Sequence, residues 1–226
     1  MAEFKFPEEK NLVFIGEAGS GKTETAVNLA LRMAREGGRR VHFFDMDQTK
    51  PLFRARDCEA QLEREGVVFH FQAQYLDAPT VASGVIETLR DEGSAVIMDI
   101  GGGSHGSHMI GQFSHLLNSA NTLVLYIVNP FRPWSGSRED IEVTMRRVLG
   151  AARLGSFRLV AHPNLGPEPR AEDVLAGLRR FQGLFPGEEA LFAGAPEELV
   201  RELAGPVRER PLPAALPTTP SWLAVR

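Results

Sequence analysis

The amino-acid sequence predicts an α/β protein of three layers, in which helices flank both faces of a mostly parallel, twisted sheet. Short apolar runs alternate along the chain with segments of helical periodicity. The 226 residues, 43% of them hydrophobic, suffice for one domain with a substantial core. Strands that alternate with helices form parallel sheets, and ligands bind such sheets beyond the carboxyl ends of the strands.

The first half of the chain begins with a strand predicted at residues 12–15 and a helix predicted at residues 22–36. The apolar residues of this helix share one face, and the pair Gly37–Gly38 marks its end. The further elements expected here, in chain order, are a strand at 41–44, a helix at 55–65, a strand at 67–71, a helix at 81–89 and a strand at 95–98.

The second half continues the alternation. The elements expected here are a helix with apolar residues from 109 to 117, a strand at 122–128, a helix capped by Ser137, a strand at 157–161, a helix around 174–181, a strand at 190–193 and a short helix near 197–203. Residues 205–226 are rich in proline. We expect them to form a tail that packs on a nucleotide-binding domain formed by residues 1–204.

A phosphate-binding motif lies between the first strand and the first helix. Gly16, four residues, Gly21, Lys22 and Thr23 match the complete pattern of a P-loop. The glycines let backbone N–H groups point at phosphates, and the helix adds its positive N-terminal end. Lys22 would reach the β- and γ-phosphates, and the Thr23 hydroxyl would hold Mg²⁺. The residues expected to line the nucleotide here are Gly16, Glu17, Ala18, Gly19, Ser20, Gly21, Lys22, Thr23 and Glu24.

Carboxylates follow two other predicted strands. Asp45 and Asp47 come just after the second strand, and Asp99 ends the strand at 95–98, three residues before Gly102. A Mg²⁺–nucleotide site needs a carboxylate on the strand beside the P-loop, because Mg²⁺ prefers oxygen ligands and keeps some of its waters. The Gly102 N–H could approach a γ-phosphate. The alternatives are a strand-end cap for Asp99 and a solvated turn for the other two acids.

Base recognition is predicted at the ends of later strands. The Asn-Lys-x-Asp motif with which guanine is commonly read is absent from the sequence, which favours ATP over GTP. Asn164, after the strand at 157–161, could pair with an adenine edge, and Asn129 is the second candidate. A turn beside Pro163 is the structural alternative for Asn164. Arg132 and Trp134 are expected on the same face, where they contact a base or a partner, or belong to an ordinary loop.

Three histidines follow Asp99 in the sequence: His105, His108 and His115. His105 and His108 could share a helix face and bind zinc. With no cysteine near them and no evident third ligand, we favour a polar switch loop, in which His105 senses hydrolysis or contacts a partner.

Composition excludes several function classes. The net charge of −4 gives no sign of the cationic face that nucleic-acid binding needs. The single Cys58 cannot form an internal disulfide, which suits a reducing compartment. No apolar run approaches the roughly 18 residues of a membrane span. We therefore expect a cytoplasmic protein that binds neither membranes nor nucleic acid.

The order of these motifs resembles the SIMIBI class of P-loop NTPases, and most closely its MinD/ParA/CobQ-like nucleotide-binding proteins. The shared motifs are the P-loop, Asp-x-Asp-Gln at 45–48, Asp-x-x-Gly at 99–102 and Asn-Pro at 129–130. They cover roughly residues 10–165. The resemblance implies an ATP-dependent protein in which Asp47 positions the attacking water, Asp45 and Asp99 lie on the Mg²⁺ side, and residues 47–56 form a nucleotide-sensing switch.

The chain departs from this pattern at Glu17. The partitioning ATPases carry a second lysine there, which reaches the nucleotide of a partner subunit. An acidic residue cannot neutralise phosphate, so the departure argues against that dimer, although a homodimer stays an alternative. Lys50, Arg54 and Arg56 either supply the missing cation or belong to a solvated loop.

Together these observations predict a Mg²⁺-dependent ATPase, slow on its own, whose hydrolysis changes the loops 45–56 and 101–108 and acts on a protein partner. An ATP-dependent small-molecule transferase or ligase is the second hypothesis. A nucleotide-binding regulator with negligible turnover, which could use GTP, is the third.

Overall fold

A computed structural model describes residues 7–36, 38–47, 55–71, 83–164, 170–196, 199, 203 and 211–213. The strands, in chain order, are β1 (Asn11–Ile15), β2 (Arg40–Met46), β3 (Val68–His70), β4 (Ser94–Ile100), β5 (Thr122–Val128), β6 (Arg158–Ala161), β7 (Ala193–Ala195) and β8 (Pro211–Pro213). The α-helices are α1 (Lys22–Glu36), α2 (Glu59–Arg64), α3 (Val85–Arg90), α4 (Gly103–His108), α5 (Ser114–Leu117), α6 (Arg138–Ala152) and α7 (Ala171–Leu184). Short 3₁₀ turns span Ala55–Cys58, Met109–Phe113 and Pro133–Ser135.

The described strands form one sheet in the order β3-β2-β4-β1-β5-β6-β7-β8, and every neighbouring pair is parallel. Helices cover both faces, so the predicted three-layer α/β fold is confirmed. Alternate residues of β1 divide between the two cores, because successive side chains of a strand point to opposite faces. Leu12 and Phe14 pack with α1 and α2, whereas Val13 and Ile15 pack in the core that α3, α6 and α7 cover.

Most predicted elements lie within a few residues of their expected positions. The first long helix spans Lys22–Glu36 and the fifth strand spans Thr122–Val128, as predicted. Ser137 caps α6, where its hydroxyl oxygen accepts from the Asp140 N–H at 3.1 Å. None of the described helices is both long and apolar enough to cross a membrane.

Three features differ from the prediction. The apolar segment 109–117 is a 3₁₀ turn followed by α5, and an unpredicted α4 precedes it. The strand expected at 190–193 lies instead at Ala193–Ala195. Residues 211–213 pair with it as an eighth strand. The rest of the proline-rich tail and most of the helix expected near 197–203 lie outside the described residues.

The sheet order places the predicted functional segments side by side. β4 lies between β1 and β2, and Asp45 is the register partner of Asp99. Because parallel strands end at the same edge, the P-loop after β1 and the acids at the ends of β2 and β4 meet there.

Candidate nucleotide site

The P-loop connects β1 to α1 through a backbone that only glycine adopts readily. Gly19 has φ 72° and Gly21 has φ 95°, in the region that L side chains avoid. The Ser20 N–H donates to the Glu17 carbonyl at 3.3 Å and closes the turn. The N–H groups of the first turn of α1 have no intrahelical acceptor. The loop therefore has the backbone shape of an anion-binding site.

Lys22 begins α1 with its side chain buried. Its Nζ donates to the Glu17 carbonyl at 2.8 Å, so the lysine reaches back across the loop that it follows. Burial lowers the pKa of Lys22, and the negative charges of Asp99, Asp47 and Glu17 oppose that shift. An anion bound in the loop would, like these acids, raise the pKa of Lys22.

Asp99, at the end of β4, is the most unusual carboxylate of the site. It is 1% exposed, and neither carboxylate oxygen has a hydrogen-bond partner among the described residues. Burial raises its pKa to about 8, with a further contribution from Asp45. Lys22 and the Thr23 hydroxyl oppose that shift, although Thr23 does not reach either oxygen in hydrogen-bond geometry. A buried acid without a hydrogen-bond partner, beside the P-loop threonine, has the oxygen ligands that a divalent cation prefers.

Asp45, by contrast, has partners for both oxygens. Its Oδ2 accepts from Arg56 Nε at 3.0 Å, and its Oδ1 accepts from the Asp47 N–H at 3.0 Å. Burial raises the pKa of Asp45, and the Arg56 guanidinium opposes this. Arg56 also donates to the Asp47 carbonyl at 2.6 Å and stacks on Phe71. The Arg56 side chain is thus bonded to the turn at residues 45–47. Lys50 and Arg54 lie outside the described residues.

The segment after β4 lies against the P-loop. The Gly103 N–H donates to the Gly16 carbonyl at 3.2 Å. A Cβ on Gly102 would lie 2.8 Å from Ala18 Cα, so only glycine permits this approach. A Cβ on Gly101 would lie 3.0 Å from Asp47 Oδ1, which places the Asp47 carboxylate at the same segment.

The histidines expected in a switch lie on this segment. His105 and His108 are exposed on α4. No group of three or more His, Cys, Asp or Glu side chains within the described ranges could hold a metal ion. The zinc alternative for this segment therefore gains no support from the described residues.

The negative charge of Glu17 is paired with an arginine of the same chain. Its Oε1 accepts from Arg147 Nη2 of α6 at 2.5 Å, and its side chain is 13% exposed. Local sequence patterns do not indicate this partner, because 130 residues separate the two and only the fold brings α6 to the loop.

The base-reading candidate Asn164 contacts the P-loop helix. Asn164 Nδ2 donates to Glu24 Oε2 at 3.1 Å, and the other candidate, Asn129, donates through its Nδ2 to the Asn164 carbonyl at 2.9 Å. These contacts bring both asparagines and Glu24 to one place, although the two asparagines follow different strands.

His162 is the residue of this region that sequence reasoning missed. It is 3% exposed, and its Nε2 lies 3.1 Å from Glu24 Oε2. Because a carboxylate accepts, Nε2 carries the proton in this pair. A Cβ on Gly21 would lie 1.8 Å from the ring, and one on Gly194 would lie 2.1 Å from Nδ1. A lone histidine after a strand carries no sequence signal for such a position.

Comparison with known proteins gives one family match. Residues 12–158 match the family model described as the CobQ/CobB/MinD/ParA nucleotide binding domain. No curated protein sequence matches the chain significantly.

Solved structures similar to this chain include three FtsY proteins. Cell division protein FtsY from Thermotoga maritima has 18% identity and a TM-score of 0.53, over 85% of this chain and 64% of that one. Chloroplast FtsY from Physcomitrella patens has 17% identity and a TM-score of 0.54, over 86% and 61%. The signal recognition particle receptor FtsY from Elizabethkingia anophelis in complex with GDP has 21% identity and a TM-score of 0.47, over 71% and 51%. This chain thus spans between half and two thirds of the length of these proteins, and the likeness concerns the fold.

Proposed function

The chain belongs to the CobQ/CobB/MinD/ParA nucleotide-binding domain family, within the SIMIBI class of P-loop NTPases, and from that premise we propose that it is a cytoplasmic, Mg²⁺-dependent ATPase. Hydrolysis of ATP changes the conformation of the loops beside the P-loop and thereby acts on a protein partner. The proposal includes neither membrane nor nucleic-acid binding, and it leaves a homodimer as one form of the partner.

The observation that carries the proposal is the buried, unpartnered carboxylate of Asp99 beside Lys22 and Thr23. Thr23 and Asp99 would hold Mg²⁺, Asp99 directly or through a water, and Asp45 would lie behind them through its pair with Arg56. When bound, the ion neutralises charge on the β- and γ-phosphates. Lys22, now bonded to the Glu17 carbonyl, would turn to the same phosphates.

The coupling step rests on the contacts of the segment 101–108. Asp47 would position the attacking water, and the Gly102 N–H would donate to the γ-phosphate. Gly102 belongs to the segment that leads into α4 and packs on Ala18 of the P-loop. Asp47 lies beside Gly101 of the same segment. Loss of the γ-phosphate would release this segment, with His105 on its exposed side, and the loop that includes Lys50.

Adenine is proposed as the base because of Asn164. The amide nitrogen of Asn164 donates to the Glu24 carboxylate. The amide oxygen is therefore the atom of this side chain that would accept from a base. Adenine offers an exocyclic amine to such an acceptor, whereas guanine presents an oxygen at that position. The absence of an Asn-Lys-x-Asp motif supports the same choice.

Phosphate release by the purified chain tests the proposal. We expect slow, Mg²⁺-dependent release from ATP and a lower kcat/KM for GTP. Lys22→Ala should abolish nucleotide binding, while Arg146→Ala, which removes an exposed cation of α6, should not change it. A preference for GTP would overturn the base assignment. Release only in the presence of small-molecule acceptors would favour the transferase or ligase instead, and tight binding without release would favour a regulator.

A further inference from the structure

A loop that follows β5 reaches across to the apex of the P-loop. We call residues 129–136 the bracing loop. Arg132 Nε donates to the Gly19 carbonyl at 2.8 Å, and Trp134 Nε1 donates to the Ala18 carbonyl at 3.3 Å. Ala18 and Gly19 are the exposed residues of the P-loop apex, so two consecutive carbonyls at its tip are held by a segment more than a hundred residues away.

These two bonds determine where the N–H groups of the apex point. A trans peptide is planar, and its C=O and N–H point in opposite directions. Trp134, by holding the Ala18 carbonyl, therefore directs the Gly19 N–H to the opposite side. Arg132 holds the Gly19 carbonyl and so directs the Ser20 N–H toward Glu17, whose carbonyl it meets at 3.3 Å. Both carbonyls are thus held by one segment, which fixes the orientation of the two peptide planes at the apex.

The bracing loop is held together by hydrogen bonds among its own residues. Ser135 is fully buried, and its single hydroxyl proton is shared between the carbonyls of Asn129 and Arg132, whose oxygens lie 2.8 and 2.6 Å from its Oγ. Asn129 Oδ1 accepts from the Phe131 N–H at 3.1 Å. The loop can therefore hold the P-loop in position rather than follow its movements.

The contact with Gly19 is closely fitted. A Cβ at this position would lie 3.1 Å from Arg132 Nε, and φ is 72°. The guanidinium thus lies directly over the Gly19 Cα, and its charge adds to the positive field at the phosphate site.

We propose that Arg132 and Trp134 are positioning residues for nucleotide binding, which hold the apex of the P-loop in its phosphate-binding conformation before the nucleotide arrives. The inference rests on the proposed function and adds to it a specific role for the loop after β5. Preorganisation of a loop strengthens the binding of every ligand that contacts it. ADP and ATP should therefore depend on the two residues alike.

Calorimetry with Mg²⁺–ADP and Mg²⁺–ATP on the full chain tests this. Trp134→Phe keeps an aromatic side chain, although a smaller one, and removes the N–H. We expect Kd to rise about 3- to 10-fold for both nucleotides, which corresponds to the loss of one hydrogen bond. Arg132→Met should weaken the binding of both nucleotides about tenfold or more, because it removes a charge as well as a hydrogen bond. Arg132→Lys should recover part of this loss of affinity. Arg146→Met is the matched loss of an exposed cation and should leave Kd within about twofold.

Tryptophan emission supplies an independent readout. The chain has two tryptophans, so Trp222→Phe leaves Trp134 as the only one. We expect its emission to change on addition of ADP with the calorimetric Kd, and Arg132→Met to shift that titration.

The outcomes separate this inference from the proposed function. If the wild-type chain binds neither Mg²⁺–ATP nor Mg²⁺–GTP, the proposed function is wrong and the inference with it. If the wild type binds while Trp134→Phe and Arg132→Met bind equally tightly, only the inference is overturned. The same holds if both variants lower the unfolding temperature of the nucleotide-free protein without changing Kd, because that pattern indicates a role in the fold alone.

Discussion

Replacing Asp99 by asparagine should stabilise the nucleotide-free protein near neutral pH. Burial raises the pKa of Asp99 to about 8, whereas an aspartate of an unfolded chain has a pKa of about 3.9. Between these two values the folded state keeps a proton that the unfolded state releases. The free energy of unfolding contributed by this group is therefore highest below pH 4 and falls as pH rises toward 8, by about 1.4 kcal/mol per pH unit.

Asparagine has nearly the shape of the protonated acid and does not titrate. The difference in free energy of unfolding between Asp99→Asn and the wild type should therefore widen by about 2–3 kcal/mol from pH 5.5 to pH 7.5. Burial also lowers the pKa of His42 and lowers that of His70 to about 4. Those groups titrate in both proteins, so their contribution cancels in the difference.

Urea unfolding at pH 5.5, 6.5 and 7.5, with EDTA and without nucleotide, measures this difference. Glu87→Gln removes an exposed carboxylate of α3 and serves as the control, with no pH-dependent difference beyond about 0.5 kcal/mol. The same Asp99→Asn protein should lose Mg²⁺-dependent phosphate release. A difference that stays constant or narrows with rising pH would refute the account of Asp99 as a buried, unsatisfied acid.

Three further changes test the surroundings of the P-loop. Asp47→Asn should keep nucleotide binding and lower single-turnover phosphate release about 100-fold or more, and retained release would place the water-positioning role elsewhere. Gly102→Ala would bring a Cβ to 2.8 Å from Ala18 Cα at the P-loop apex, so calorimetry should show weaker binding of both ADP and ATP. Because the Gly102 N–H would also be moved from the γ-phosphate, the loss should be larger for ATP, and equal losses would contradict a contact made with the γ-phosphate. Arg147→Ala removes the partner of Glu17, but Arg147 is 56% exposed, so urea unfolding should change by less than about 1 kcal/mol; a larger loss would mean that the pair supports the fold.

Local sequence patterns predicted most of the elements well, and they located the P-loop motif between β1 and α1. The P-loop motif depends on residues 16–23 alone, and the apolar runs of β1, β4 and β5 are visible without any long-range information. Asp99 could be placed beside the P-loop because parallel strands end at a common edge. The short strand β8 was missed because Pro211 and Pro213 cannot donate to a ladder, which is tolerated only at an edge such as this one.

The contacts that link distant elements could not be predicted in the same way. Glu17 pairs with Arg147, and Gly19 is held by Arg132, across more than a hundred residues in each case. No periodicity or motif encodes such pairs, since they depend on which strands are neighbours. The short α4 was missed because residues 103–108 contain glycine, serine and histidine but no apolar residue that could reveal a helical period.

The most direct test of the central claim is a calorimetric titration of the wild-type chain and of Lys22→Ala with ATP in the presence of Mg²⁺. The account predicts one nucleotide per wild-type chain, loss of binding in the variant, and release of a proton at pH 7 as Asp99 becomes ionised, detected by comparing two buffers of different ionisation enthalpy. A folded wild-type chain that binds neither ATP nor GTP would contradict it.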